Sequence, residues 1–376
     1  MVEIKEVKTR KERKRFVDFA NIMYQDVPQF VPSFYGDDLA DWGPKNPALA
    51  YCERKAFLAY KDGECVGRIG AILSHASNEK WNTKRMRFSQ VDFIDDFEVS
   101  KALFKAVEDY ALEKGCNEVH GPLGFTDLDR EGMLVEGFEE RSLFFTYYNY
   151  PYYNDHLVKL GYVKDVDWVE DKLYVKDAEE VQDQYRRVAE FSLKHNNLHI
   201  AKLNKQSEYP SYVKKFFNLV NICYSKLYST IELTEEQINM YAKKFSPLIN
   251  PDFVCFVMDE EENLIAFGVL AMSMGEALKK TRGRLFPTGW ARVLRSLKKS
   301  KSLESLLVAV HPDYQKKGVN AILIDYILTN AIRHNIEFAE TGPQLELNHD
   351  VQAQWKYMQP QTFKRRRCYI KKISDK

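Results

Sequence analysis

The sequence has no long apolar run and no signal sequence. Its 376 residues contain no stretch of about 18 apolar residues, so no transmembrane helix is expected, and the amino-terminal MVEIKEVKTRKERKRF lacks an apolar h-region. The six cysteines form no CxxC pair, which favours buried free thiols in a reducing compartment. Together these absences predict a cytoplasmic protein.

Motifs of several large enzyme classes are missing as well. There is no Walker loop, no GxGxxG, no GxSxG elbow and no His/Cys spacing typical of zinc sites. The net charge of +1 gives no global attraction to nucleic acid. We therefore expect no bound metal and no nucleic-acid partner.

What the sequence does contain is a repeated order of elements. AFLAYKDGECVGRIGAIL (56–73) and VCFVMDEEENLIAFGVLAM (254–272) each alternate as the two strands of a hairpin. A strand, an amphipathic helix and another strand follow each hairpin. This order predicts a mixed α/β fold of two similar domains, each a mostly antiparallel mixed sheet flanked by helices. The polar stretch at 175–184 places the boundary between domains 1–175 and 176–376.

One strand-to-helix joint in the second half has the composition of an anion site. In VAVHPDYQKKGVNAIL (308–323), two lysines and Gly318 stand directly before the helix. The amide groups of a first helical turn and the helix dipole attract phosphate, and glycine permits close approach or an unusual backbone angle. The alternative is an ordinary loop with solvated lysines, because short glycine motifs often occur by chance.

This joint and its context resemble the GNAT superfamily of acyl-CoA-dependent N-acyltransferases, in which V-x-V-x-P-x-x-Q-x-x-G follows a hairpin and a strand. The resemblance implies that acyl-CoA is the co-substrate, with its pantetheine paired to the strand and its pyrophosphate held by the loop. The positions implied are Val308, Val310, Gln315, Lys316, Lys317, Gly318, Val319, Asn320 and Ala321. Asn320 stands where the family usually has Gly or Ala, and asparagine tolerates unusual backbone angles.

The corresponding joint of the first half, VDFIDDFEVSKALF (91–104), lacks the glycine. Asp95, Asp96 and Glu98 surround its helix start, where carboxylates favour the helix but repel a phosphate. We expect the first domain not to bind coenzyme A, and to be structural or to shape the acceptor site.

A closer resemblance covers essentially the whole chain. Its most specific pieces are Gly121-Pro122, the segment 132–138 and the segment 147–161. They resemble the bacterial ceramide-synthase-like family of tandem GNAT proteins. This resemblance implies transfer of a fatty acyl group to the amine of a sphingoid long-chain base. The aromatic residues of TYYNYPYYNDHL would then either line an acyl tunnel or form ordinary core.

A basic stretch offers what a lipid enzyme needs. Residues 279–299 hold eight lysines and arginines with no acid, and Trp290, Val293, Leu294 and Leu297 share one face of a helix that begins after Pro287. Such a helix could lie on the anionic inner face of the membrane as a peripheral contact. The alternatives are a helix whose apolar stripe packs on the core, and basic residues near the 3′-phosphate of coenzyme A.

Amide formation from a thioester requires a base for the amine and an acid for the leaving thiolate. Glu340 and Glu346 lie in or after the strand that follows the proposed coenzyme A helix, and are the candidate bases. The resemblance to GNAT proteins assigns Asn348 to the pantetheine side and expects a tyrosine where Trp355 stands. Tyr357 is the nearest candidate acid.

Three functions remain open from the sequence. The first is an N-acyltransferase with a lipid amine as acceptor. The second is a GNAT acetyltransferase that acts on a small or peptide amine. The third is a non-catalytic acyl-CoA-binding protein, which the uncertain general acid keeps in consideration.

Overall fold

The computed structural model describes residues 1–374, apart from the side chain of Glu179. The strands are β1 (Val2–Glu6), β2 (Cys52–Lys61), β3 (Glu64–Ser74), β4 (Arg85–Phe93), β5 (Glu118–Gly121), β6 (Met133–Glu136), β7 (Val163–Tyr174), β8 (His199–Ile200), β9 (Val254–Met258), β10 (Leu264–Met272), β11 (Ser302–Val310), β12 (Phe338–Glu340), β13 (Gln344–Leu345) and β14 (Gln361–Lys372). The helices are α1 (Arg10–Met23), α2 (Tyr35–Asp41), α3 (His75–Trp81), α4 (Phe97–Glu113), α5 (Tyr152–Lys159), α6 (Val175–Glu179), α7 (Gln182–His195), α8 (Pro210–Tyr224), α9 (Glu235–Phe245), α10 (Gly275–Thr281), α11 (Gly289–Lys299), α12 (Val319–Arg333) and α13 (His349–Ala353).

Packing divides the chain into two compact units. Of the described residues, the first unit contains 1–169, 275–293 and 364–374, and the second contains 170–274 and 294–363. The first unit therefore includes, besides the amino-terminal part of the chain, the segment 275–293 and the carboxy-terminal segment. The polar stretch expected at the boundary forms α6 and the start of α7 instead. The division of the sequence into duplicated domains 1–175 and 176–376 stays a prediction.

The sheet of the first unit has the order β1-β2-β3-β4-β5-β14. The hairpin of β2 and β3 turns at Asp62 and Gly63, which both have positive φ, as the favoured two-residue hairpin turns require. β4 and β5 are parallel, and the α4 crossover joins them. The last strand of the chain pairs antiparallel with β5, from Tyr369 opposite Gly121 to Lys372 opposite Glu118.

The sheet of the second unit repeats this arrangement, in the order β7-β12-β11-β10-β9-β8. β9 and β10 form the hairpin, and the parallel pair β11 and β12 is connected through α12. Helices α7 and α12 cover one face of this sheet, and α8 covers the other. The predicted mixed α/β class, with sheets flanked by helices, is confirmed.

The aromatic-rich stretch of the first unit forms core. Tyr153 is fully buried, its ring stacks on Phe93 at 4.1 Å, and its hydroxyl lies 2.7 Å from that of Tyr24. The Tyr24 hydroxyl in turn donates to Asp92, which also pairs with Arg68. These tyrosines therefore pack around a buried ion pair, as the alternative of ordinary core predicted.

In the basic segment, residues 279–299, some side chains already have partners in the protein and others are exposed to solvent. Lys279 donates to the carbonyl of Pro28 at 2.8 Å, and Arg284 pairs with Asp18 within the first unit. Helix α11 begins after Pro287, as expected, but its apolar stripe is divided, since Val293 is buried while other apolar side chains point to solvent. The exposed fractions are 83% for Phe286, 51% for Trp290 and 47% for Leu294, and we call these three the exposed apolar face. Within residues 1–374, every helix is too short or too polar to cross a bilayer.

Candidate active site

A bulge in β11 sets the geometry of the candidate site. The register between β10 and β11 shifts so that Val269 faces Leu307 and Leu270 faces Ser305, which leaves Leu306 as an extra residue. Because side chains alternate along a strand, the bulge changes the phase: Leu303 and Ser305 share the α12 side of the sheet with Val308. Sequence alternation alone could not predict this change.

Beyond the bulge, β11 separates from its neighbour. In the described part of the chain, β12 pairs with β11 only from Ser302 opposite Phe338 to Glu304 opposite Glu340. Pairing between the two parallel strands then ends, and in the described part of the chain the outer part of β11, from Ser305 to Val310, has no strand partner on this side. This is the strand on which the sequence predicts pantetheine pairing by Val308 and Val310.

Side chains of α8 and of the loop contact the carbonyl groups on this part of β11. The Tyr224 hydroxyl donates to the Val308 carbonyl at 3.2 Å, while Cys223 Sγ at 3.5 Å and Gln315 Nε2 at 3.3 Å donate to the Val310 carbonyl. Sequence reasoning missed Tyr224 and Cys223, because nothing in the pattern of α8 indicates which strand it covers.

The loop before α12 adopts two left-handed backbone conformations. Lys316 has φ +61° and Gly318, the N-cap of the helix, has φ +77°. A Cβ at Gly318 would lie 3.0 Å from Val188 Cγ1 and 3.5 Å from Ser192 Cβ, so α7 also requires a glycine here. Asn320 lies in regular helix, so its backbone does not adopt the unusual angles that asparagine tolerates.

The loop fits an anionic group. The side chains of Gln315, Lys316 and Lys317 are exposed in front of the fifteen-residue helix α12. Lys317 Nζ lies 4.9 Å above the ring of Tyr314, and the Lys317 carbonyl accepts a hydrogen bond from Ser192 at 2.8 Å. Two ammonium groups and a helix amino terminus therefore surround a fixed backbone turn, which is the chemistry that a pyrophosphate requires.

The four residues predicted for catalysis differ in burial and lie on different segments of the chain. Glu340 is 5% exposed at the end of β12, where β11 and β12 diverge. Glu346 lies half-buried in the turn after β13, and Asn348 caps α13 by accepting the Val351 amide at 3.4 Å. Tyr357 is 60% exposed and contacts the ring of Tyr185 edge-on, with 6.4 Å between centroids. Of the four, Glu340 lies at the point where the strands separate.

A polar network immobilises the segment after Glu340. Thr341 Oγ1 accepts from the Asp171 amide and from Gln344 Nε2, both at 2.8 Å. The Asp171 carboxylate accepts from the Thr362 hydroxyl at 2.6 Å. Trp355, at the position where the family pattern expects a tyrosine, donates its indole N–H to Gln344 Oε1 at 3.2 Å. The indole therefore serves to position this segment.

An apolar pocket opens beside Glu340, between the sheet and α12. The space between these elements, together with the solvent at its open mouth, amounts to about 740 Å³. Its lining is almost wholly apolar, with β10, β11 and β12 on one side and α6 and α12 on the other. Ser305, Glu340 and Thr341 are polar members of the lining, and they come from the region where the strands diverge.

In the first unit, the corresponding joint is acidic as predicted. The Asp96 side chain accepts from the Glu98 amide at 3.0 Å and pairs with Lys61, and this lysine lowers the pKa of the aspartate. The carboxylate thus occupies the helix start that a phosphate would need, and the absence of coenzyme A binding at this joint stays a prediction.

Between the two pieces Gly121-Pro122 and 132–138, which carry the family resemblance, lies a pair of partly buried carboxyl groups. Burial raises the pKa of Asp127 to about 7 and that of Glu131 well above its usual range. Gly132 has φ +71°, and a Cβ there would lie 2.7 Å from Arg366 Cβ. The neighbouring Arg130 pairs with Asp38 at 2.6 Å. This arrangement points to a fold-determining role for the segment.

One group within residues 1–374 has the spacing of metal ligands. Ligand atoms of His120, Asp165 and Cys368 lie within 4.8 Å of one another. However, Arg85 approaches Asp165 at 3.6 Å, and burial together with Arg87 lowers the pKa of His120 well below its usual value. The nearby positive charges disfavour a cation, and we assign no metal to this group.

Comparisons with known proteins agree with this geometry. Residues 213–356 match the model of the acetyltransferase (GNAT) family. Protein YghO of Escherichia coli K12 is 25% identical, covering 97% of this chain and 94% of its own length. The bacterial ceramide synthase of Caulobacter vibrioides is 26% identical, covering 82% of this chain and 80% of its own.

The solved structures show the same fold at low identity. A tandem GNAT protein from the clavulanic acid biosynthesis pathway matches with a TM-score of 0.57 and 12% identity over all of both chains. A GCN5-related N-acetyltransferase from Sphaerobacter thermophilus matches with a TM-score of 0.53 and 8% identity, covering 99% of this chain and 96% of its own.

Proposed function

Because the chain is an acyltransferase with a GNAT domain and is homologous to a bacterial ceramide synthase, we propose that it acylates the amine of a sphingoid long-chain base. The acyl donor is acyl-CoA, which supplies an acyl group activated as a thioester. The observation that carries the proposal is the end of the pairing between β11 and β12 at Glu340, which leaves the part of β11 that leads to the Gly318 loop unpaired on that side. Relatedness to the Caulobacter enzyme is what supports a lipid acceptor.

The roles of the loop follow from its charge and backbone. The turn from Gln315 to Gly318 and the first residues of α12, Val319, Asn320 and Ala321, would hold the pyrophosphate through amide groups and the helix dipole. Lys316 and Lys317 add two exposed positive charges. The backbone of β11 at Val308 and Val310 would bind the pantetheine amides.

Glu340 is the proposed general base. It would accept a proton from the ammonium group of the acceptor, directly or through water, so that the neutral nitrogen can attack the thioester carbonyl. The nitrogen then loses its second proton, the carbon–sulfur bond breaks to leave the amide, and the departing thiolate takes up a proton. Tyr357 is the candidate donor of that proton. Its exposure suits a residue that becomes covered when substrate binds.

The other two predicted residues have more limited proposed roles. Asn348 caps α13, so its contribution would be to hold the 344–355 segment rather than to contact pantetheine directly. Glu346, half-buried in the preceding turn, is the second candidate base.

A lipid acceptor would also require contact with a membrane surface. The exposed apolar face stands beside Arg292, Arg295, Lys298 and Lys299, all exposed on α11. Apolar side chains next to clustered positive charge are typical of segments that rest on anionic lipid. We propose that this segment brings the protein to the inner face of the membrane.

Turnover tests the proposal directly. The purified protein is incubated with palmitoyl-CoA and either 3-ketosphinganine or sphinganine, thiol release is followed, and the product is identified by mass spectrometry. Amide formation on the long-chain base is the expected result. Amide formation only from acetyl-CoA and small amines would contradict the lipid assignment while leaving an N-acyltransferase. Thiol release without any amide would contradict amine acylation itself.

A further inference from the structure

The apolar pocket under α12 has no role in the proton transfers above, although Glu340 lies at its edge. We propose that this pocket holds the hydrocarbon chain of the acyl-CoA and sets the chain length that the protein accepts. This inference rests on the proposed function only in taking acyl-CoA as the ligand. It does not depend on the identity of the acceptor.

The first argument is continuity with the strand that would bind pantetheine. Val308 lies on that strand and also lines the pocket, and Ser305 and Glu340 line it where β11 and β12 diverge. A thioester at this divergence would have polar groups beside its carbonyl and an apolar space directly beyond it. The bulge at Leu306 is what turns Val308 toward this side of the sheet.

The second argument is the shape of the space. Along α12 its lining extends from Leu323 to Ala331, eight residues, which corresponds to about 12 Å of helix. That distance accommodates roughly eight to ten carbon–carbon bonds of an extended chain. An acetyl group would leave most of this apolar surface uncovered, whereas a fatty acyl chain would cover it.

The third argument is a glycine that the backbone does not require. Gly268 lies in the middle of β10 without a positive φ, and a Cβ there would meet its nearest neighbour, Leu323 Cβ, only at 3.8 Å. Ordinary packing would therefore permit a larger side chain at this position. Gly268 lines the pocket, so the effect of the missing side chain is to leave volume inside it. The small residues Ala178, Ala331 and Ala339 have the same effect on other walls.

The experiment measures binding of the donor alone, so that it needs no acceptor. Affinities of the full-length protein for coenzyme A, acetyl-CoA and decanoyl-CoA, each below its micellar concentration, are compared by calorimetry. We expect decanoyl-CoA, whose chain matches the length of the pocket, to bind at least about tenfold more tightly than acetyl-CoA, the scale on which apolar pockets discriminate chain lengths. Gly268→Leu and Ala331→Phe should each remove most of that difference and leave the affinity for coenzyme A unchanged.

Two further variants protect the test against misfolding. Gly268→Ala adds only the Cβ that the packing already accommodates. Ile327→Ala enlarges the pocket, so the acyl chain length that binds most tightly should increase. Leu112→Ala, at an exposed position of α4, is the matched control and should change nothing. Equal affinity for both acyl chains in the wild type, or an undiminished difference in folded Gly268→Leu and Ala331→Phe variants, would overturn the inference. If the pocket behaves as expected but no lipid amide is formed, the acceptor assignment fails and the pocket assignment stands.

Discussion

Gly318 provides the sharpest test of how the loop works, because the structure gives two separate reasons for a glycine at this position. Its φ of +77° belongs to the left-handed region, which costs a residue with a Cβ about 1–2 kcal/mol. Independently, a Cβ would lie 3.0 Å from Val188 Cγ1, a contact that requires one of the two elements to move. If the loop must keep this conformation to bind coenzyme A, either effect should appear in the affinity.

Three variants separate the two reasons. Gly318→Ala should weaken coenzyme A binding by about 5–30-fold, the factor that corresponds to 1–2 kcal/mol. Gly318→Asn keeps access to positive φ, so its remaining loss reports the contact with α7. Combining Gly318→Asn with Val188→Ala removes both obstacles and should restore most of the affinity. Val188→Ala alone is the control, since that side chain is 46% exposed.

The assay is calorimetric titration of coenzyme A, with thermal unfolding of each variant measured in parallel. Loss of affinity without loss of thermal stability would locate the effect in the loop. If Gly318→Ala binds coenzyme A as the wild type does and unfolds at the same temperature, neither the left-handed conformation nor the contact with α7 matters for binding. The reasoning about this joint would then be refuted.

Three other expectations follow from the structure. Glu340→Gln should lower kcat by about 100-fold or more while coenzyme A affinity stays constant, as expected for loss of a general base, and unchanged turnover would remove Glu340 from that role. Replacing the exposed apolar face by serines should abolish sedimentation with anionic vesicles and leave the unfolding temperature unchanged, whereas equal sedimentation would contradict a membrane contact. Because burial raises the pKa of Asp127 to about 7, the folded chain holds a proton that the unfolded chain releases, so its stabilisation is complete below about pH 4 and is lost as pH rises through about 7. The unfolding temperature of Asp127→Asn should therefore fall less between pH 5 and 8 than that of the wild type. Each unit of pKa shift corresponds to about 1.4 kcal/mol in the free energy of unfolding. Parallel profiles of unfolding temperature against pH would contradict this.

The order of elements was predictable because local signals define it. Alternation and a turn with Asp62 and Gly63 are enough to predict a hairpin, and the apolar periodicity of 319–333 is enough to predict a helix. The grouping of the chain into compact units was not predictable in this way. It depends on which surfaces the segment 275–293 and the last strand cover, and those contacts join residues far apart in sequence.

The candidate site shows the same limit at the level of single residues. The loop around Gly318 carries a local motif, and its left-handed turn could be anticipated from the glycine. The pocket could not be anticipated, because it depends on the phase change at Leu306 and on the small residues of four different elements. Asn348 and Trp355 were assigned by position in a family pattern, whereas their hydrogen bonds make them parts of the framework that supports the site.

The joint that leads from β4 into α4 and the joint that leads from β11 into α12 differ in what they would offer a phosphate. Both join a parallel pair of strands through a long helix, so both present a helix amino terminus at the same place in the fold. At α4, the Asp96 carboxylate already accepts an amide hydrogen of the first turn and carries the charge that the helix dipole favours. At α12, the N-cap is Gly318, which has no side chain to accept those amides and turns the backbone into a left-handed conformation. A stable cap and an anion site compete for the same donors, so the absence of a capping side chain at α12 is what leaves its amino terminus available to a phosphate.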